Sequence, residues 1–165
     1  RHIRDRHPAL DPLIEMLETD RRTLVHGDFS PKNVLVTDAA EILILDAETA
    51  NWGTPGFDPA YLLAHLLLKY EHLRLPALLE AAAAFWSAYR ELAAPTFADI
   101  DTCAWLPLLG MLLARIDGKS PVDYLTPAAQ ASLRACASRL LASEPCSIAE
   151  LIDAWAGLRA PATPG

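Results

Sequence analysis

Three oxygen-bearing side chains lie near one another in this sequence. Asp28 sits in Val25-His26-Gly27-Asp28-Phe29, Asn33 follows five residues later, and Asp46 closes the apolar run Ile42-Leu43-Ile44-Leu45. A carboxylate on a short loop can orient a hydroxyl and accept its proton. An amide oxygen and a second carboxylate can hold Mg²⁺, which takes few protein oxygens and keeps several waters. One group for an attacking alcohol and two for a metal are what phosphoryl transfer requires. A carboxylate is a weak base, but a loose transition state deprotonates its nucleophile late, so orientation outweighs basicity. Alone, Asp28 would read as a turn residue, because Gly-Asp dipeptides commonly occupy turns. With Asn33 and Asp46 in register, the catalytic reading is preferred.

The elements that must position these groups are short. Residues 23–26 read as an extended lead into the Gly27-Asp28 loop, and residues 34–37 and 41–45 as a β-hairpin around Asp38-Ala39-Ala40. Residues 47–57, carrying Gly53-Thr54-Pro55-Gly56, read as a loop. Asp58-Pro59 then starts a helix, the acid capping free N–H groups and the proline needing no partner. Over 59–70 that helix is apolar on nearly every face, which predicts burial. Upstream, Leu13, Ile14 and Leu17 predict a helix over 11–18, with Asp11 as N-cap and Pro12 first inside. Downstream, helices are predicted over 76–92, over 98–117 with a kink or break near Pro107, over 127–142 and over 148–158, before a frayed tail. The expected class is α+β and mostly helical, a hairpin with polar loops packed on a helical bundle.

The order His26-Gly27-Asp28-x-x-x-x-Asn33, then Asp46, resembles the aminoglycoside phosphotransferase and choline kinase family, a branch of the protein-kinase-like superfamily. The motifs that carry the resemblance span residues 24–68. The resemblance implies that Asp28 is the catalytic acid-base group, and that Asn33 and Asp46 bind the Mg²⁺ of a bound ATP or GTP. Asp46 corresponds to the Asp of an Asp-Phe-Gly element, but Ala47-Glu48 follows it here. Asp-x-Glu is similar to the choline kinase and methylthioribose kinase branches, which makes Glu48 a candidate further metal ligand; a solvated loop acid is the equal alternative. His26 and Asp58 are implied to brace the catalytic loop, His26 by hydrogen bonding and Asp58 by bonding to the loop backbone. Lys32, Trp52 and Arg115 are weaker candidates for contact with phosphate or substrate. For each the ordinary reading is an exposed loop lysine, a Trp packed over the core, and an arginine at a helix C-terminus.

The same resemblance implies a C-terminal catalytic lobe over 1–165: a lead-in helix to 22, catalytic and metal-binding loops with the hairpin over 23–57, and a helical subdomain over 58–160. An N-terminal nucleotide-binding lobe is expected to be missing. The seven glycines form no Gly-x-Gly-x-x-Gly, and the three lysines, Lys32, Lys69 and Lys119, include none on an early strand. A chain beginning with Arg fits a fragment, and little turnover is expected of it alone. The leading function is transfer of the ATP γ-phosphate to a hydroxyl of a small molecule such as an aminoglycoside, amino alcohol or sugar. A non-catalytic binding or regulatory module is the alternative, and the joint presence of Asp28, Asn33 and Asp46 speaks against it. A two-metal phosphohydrolase would need further His or Asp clusters.

Composition excludes other classes. With 165 residues, 52% hydrophobic and 21% charged, the chain can bury one substantial core. A net charge of -7 argues against nucleic-acid binding. No apolar run is long enough for a membrane span and no signal peptide opens the chain. Cys103, Cys136 and Cys146 show no Cys-x-x-Cys spacing and read as reduced, packed thiols of a cytoplasmic protein. The sequence leaves the oligomeric state open.

Overall fold

The structure, a computed structural model, describes residues 6–119, 121–144 and 147–157. In chain order the helices are α1 (Asp11–Thr19), α2 (Phe57–Leu73), α3 (Pro76–Ala93), α4 (Ile100–Asp117), α5 (Pro127–Ser143) and α6 (Ile148–Ala156). Four three-residue strands lie between α1 and α2: β1 (Thr23–Val25), β2 (Val34–Val36), β3 (Ile42–Ile44) and β4 (Asn51–Gly53). The protein is thus mostly helical with two small antiparallel sheets, an α+β arrangement.

The strands fix where the loops begin and end. β1 pairs with β4, Val25 opposite Asn51, and β2 pairs with β3, Val34 opposite Ile44. Everything from residue 26 to residue 50 is therefore an excursion clamped at its root by the β1–β4 ladder. The hairpin within it stands clear of the core. Leu35 and Leu43 on one face are 49% and 45% exposed, and Val36 and Ile42 on the other are 64% and 68% exposed.

Below the excursion, α2 packs most extensively on α3 and α4. Its buried residues Leu63, Leu67 and Leu68 meet Leu108, Leu112 and Leu113 of α4 in one core that also holds Leu133 and Trp155. Two contacts set the start of α2. Tyr89 of α3 donates its hydroxyl to the Pro55 carbonyl at 3.0 Å. Gly56 lies so close to the Cys103 carbonyl of α4 that any Cβ would collide with it.

Several expectations are corrected. The stretch over 47–57 is not all loop, since it contains a 3-10 turn (Ala47–Thr49) and the strand β4. A strand of three residues is too short to show a period and is specified by its partner. Asp11 is inside α1 and not its N-cap: a 3-10 turn (Pro8–Leu10) leads in, so Leu10 occupies the cap position. Asp58 is not a cap either, because the helix already begins at Phe57 with Gly56 at the cap position. The helix predicted over 98–117 is α4, and it runs unbroken through Pro107. Cys103 and Cys136 are free and buried, while Cys146 and the frayed tail lie outside the described residues.

No helix among the described residues is long and apolar enough to cross a membrane.

Candidate active site

The catalytic loop is hung from α2. The backbone N–H of His26 donates to Asp58 Oδ2 at 2.6 Å, and that of Gly27 donates to Asp58 Oδ1 at 3.0 Å. Asp58 is turned toward the loop and not toward its own helix. Gly27 has φ +86°, a left-handed conformation, and a Cβ there would lie 2.7 Å from the Thr49 carbonyl oxygen. The Thr49 hydroxyl in turn donates to the His26 carbonyl at 3.0 Å.

His26 is committed at both ring nitrogens. Its Nδ1 accepts from the Asp28 backbone N–H at 3.2 Å, so Nε2 carries the proton and donates to the Leu45 carbonyl at 2.8 Å. The imidazole thereby joins the catalytic loop to the end of β3, one residue before Asp46. A second tie runs parallel to it, from the Leu45 N–H to the Asn33 carbonyl at 2.9 Å.

The Asp28 carboxylate is held by two neighbours on its own loop. Asn33 Nδ2 donates to its Oδ2 at 3.0 Å and to the Asp28 carbonyl at 2.8 Å, and Lys32 Nζ lies 3.0 Å from the same Oδ2. The Tyr61 hydroxyl on α2 is near enough for it and Asp28 to shift each other's titration. Partial burial works to raise the Asp28 pKa, but hydrogen bonds from Lys32, Tyr61 and Asn33 outweigh it, and the carboxyl titrates below its ordinary value. Tyr61 moves the other way. Burial, then its bond to Asp28, raises the phenol, which keeps it a donor.

With the Nδ2 group turned on Asp28, the side-chain oxygen of Asn33 is the end left to face a cation. Asp46 sits in the left-handed region at φ 65° and ψ 51°, uncommon for a residue with a side chain and frequent at functional sites. Its charge acts on Lys32, which itself pairs with Asp28. One buried amide oxygen and one exposed carboxylate are hard donors that fit Mg²⁺. No group of three His, Cys, Asp or Glu side chains able to hold a metal occurs among the described residues. Glu48 lies in the 3-10 turn after Asp46 and is exposed.

The remaining candidates fall apart from one another. Trp52 stands on β4 opposite Leu24 and is 59% exposed, so it does not pack over the core. Arg115 lies at the far end of α4, lining a cleft with Tyr61 and His65. Lys32 touches Asp28 directly.

Sequence reading missed Tyr61. The signal was present: Tyr61 follows Asp58 by three residues and His65 follows Tyr61 by four, which puts all three on one helix face. Asp117 is buried under Arg134, at 2.8 and 2.7 Å, and His7, at 3.0 Å. It anchors the start of the chain to α4 and α5.

A model described as the phosphotransferase enzyme family matches residues 1–99. That stretch contains the catalytic loop, the hairpin, Asp46, Asp58 and Tyr61, but not Arg115. The comparison with curated proteins gives no match.

Proposed function

We propose a function from one premise, that this chain belongs to the phosphotransferase enzyme family: it moves the γ-phosphate of ATP or GTP onto a hydroxyl of a small molecule. The observation that carries this reading is the Asp28 carboxylate, held below its ordinary pKa and fixed by Asn33 and Lys32. A nucleotide bound with Mg²⁺ supplies the phosphoryl group and neutralises its developing charge. Asn33 and Asp46 are the residues that would hold the metal, and Glu48 is a further candidate. Asp28 accepts a hydrogen bond from the acceptor hydroxyl, aligns its oxygen and takes its proton as transfer proceeds. His26 and Asp58 do not react. They keep the Asp28 loop at a constant distance from Asp46, and orientation of this kind is where most of the rate originates when covalent chemistry is slight.

In this reading the chain has the architecture of a kinase-like C-terminal lobe. It holds no Gly-x-Gly-x-x-Gly loop to cover phosphates, so we expect residues 1–165 to turn over slowly by themselves. Isothermal titration calorimetry with ATP and GTP, with and without Mg²⁺, tests the proposal. Binding should require Mg²⁺ and should be lost in Asp46→Ala and weakened in Asn33→Ala. Nucleotide binding indifferent to the metal and to both substitutions would overturn it.

A further inference from the structure

We infer that the groove between α3 and α6 is a binding site for a zwitterionic α-amino acid with an apolar side chain. Its lining includes no residue of the catalytic loop, so the inference is independent of the proposed phosphotransfer.

The groove has a volume of about 400 Å³, within the roughly 300–1,000 Å³ of small-molecule sites. Helical spacing explains its walls. Ala83, Ser87 and Arg90 recur along one face of α3, and Ala149 and Asp153 along one face of α6. All five are exposed. Between them Trp86 and Ile152, only 3% and 5% exposed, supply an apolar floor. One carboxylate holds the two walls together. Asp101, in the first turn of α4, accepts from Arg90 Nε at 2.6 Å and from the backbone N–H of Ile148 at 3.2 Å.

Opposite charges remain unmatched on the two walls. Asp101 engages only the Nε of Arg90, so both Nη groups lack a partner among the described residues. The Arg90 side chain is 59% exposed, and its free Nη groups can meet the two oxygens of a ligand carboxylate. The Ser87 hydroxyl, three residues before it on the same wall, makes no hydrogen bond among the described residues and is a further donor. On the facing wall the Asp153 carboxylate is exposed and has no hydrogen bond or ion pair among the described residues. It stands in the last turn of α6, where the helix dipole disfavours an acid, so helix stability does not account for it. A simple amine would leave the Arg90 donors to water. A simple carboxylate would bring its charge toward Asp153. A molecule with both charges on an apolar body satisfies the two walls and covers the floor.

The test uses the whole chain with ¹⁵N-labelled tryptophan indoles. Trp86 lines the groove and Trp52, on β4, does not, so one signal reports binding and the other is its control. The probes share one apolar body: L-leucine, isoamylamine, which lacks the carboxylate, and 4-methylpentanoate, which lacks the ammonium. We expect leucine to shift Trp86 and not Trp52, and to bind about 5-fold tighter than either analogue, the upper worth of an exposed ion pair. Asp153→Asn should erase the margin over 4-methylpentanoate and keep the margin over isoamylamine. Arg90→Met should do the reverse, and Arg90→Lys, which keeps a charge beside Asp101, should restore part of what is lost. Asp153 has no partner to lose, so Asp153→Asn should leave Tm unchanged and keeps the test valid if Arg90→Met loosens the fold. A single-charge analogue that binds as tightly as leucine, a Trp86 signal that leucine leaves in place, or a margin over 4-methylpentanoate that survives Asp153→Asn would overturn the inference.

Discussion

The backbone N–H of His26 donates to Oδ2 of Asp58 across 2.6 Å, joining the catalytic loop to the first turn of α2. The other carboxylate oxygen holds Gly27, so the two acceptors are used by consecutive amides. Asp58→Asn presents an NH₂ to one of those N–H groups and leaves it unpaired. The expected cost is about 1–3 kcal/mol in urea denaturation, with large shifts of the His26 and Gly27 amide resonances. Unchanged stability and unchanged amide shifts would show that Asp58 positions nothing.

Lys32 is one reason the Asp28 carboxyl titrates low. The sign follows from removing it: Lys32→Met takes away a stabiliser of the ionised form, so the Asp28 pKa rises. Carboxyl ¹³C titration should show the midpoint moving to higher pH in the variant. In any assay of transfer, the acid limb of the rate profile should move the same way. A midpoint that stays put would mean that the salt bridge seen at 3.0 Å is not maintained in solution.

Asp28→Asn keeps the size of the side chain and removes its basicity. Where transfer is measurable, the rate should fall roughly 10²–10⁴-fold. Mg²⁺-nucleotide affinity by calorimetry should change little, because Asp28 is assigned to the acceptor. Equal losses of affinity and rate would instead move Asp28 to the metal.

Gly27→Ala meets two obstacles at once, a backbone at φ +86° and the Thr49 carbonyl oxygen 2.7 Å from the new Cβ. Strain of this kind costs about 1–3 kcal/mol. The loss should appear as a lower urea midpoint together with weakened Mg²⁺-nucleotide binding, since Thr49 and Asp46 belong to the same short segment.

Asp117 is held down to a pKa of about 2, mainly by its hydrogen bonds to Arg134 against the opposing effect of burial, with His7 adding to it. A depressed carboxyl pKa contributes stability above its unfolded value and loses it as pH falls through the folded one. Stability should therefore decline between about pH 4 and pH 2, and Asp117→Asn should flatten that decline. Arg134 is 38% exposed, so solvent screens the pair and the loss at neutral pH should be on the order of 1–2 kcal/mol. Urea melts at a series of pH values would read both effects.

The sequence was most informative where partners are close along the chain. Asp28 and Asn33 lie within six residues of one another, and the hairpin closes over three, so residue types and turn chemistry were enough to group the first two and to place the hairpin, though not to pair Lys32 with Asp28. Partnerships formed across long separations were hidden. β4 exists because β1 lies opposite it, and His7 meets Asp117 across 110 positions, whereas the reach of Asp58 back over 32 was expected only through the family resemblance. Asp58 is the instructive case: Asp-Pro at a helix start is a sound capping signal, but two loop amides outcompete the helix for its carboxylate. Burial of α2 was legible from composition, whereas the exposure of the equally apolar hairpin was not, because hydropathy records what a segment can cover and not whether anything covers it.

Pro107 brings no N–H to α4, so the Cys103 carbonyl four residues earlier lacks its intrahelical bond, and it is this carbonyl that Gly56 abuts. Two positions beyond Gly56 stands Asp58, so a displacement of that part of α4 would be handed on to the loop that carries Asp28. Past the proline, Met111, Ala114 and Arg115 line the cleft beside Tyr61, while Leu112, Leu113 and Ile116 among them are buried in the core. Variation in the distal half of this helix is therefore confined to the positions that line the cleft, while the proximal half is obliged to remain as it is for transfer to occur at all.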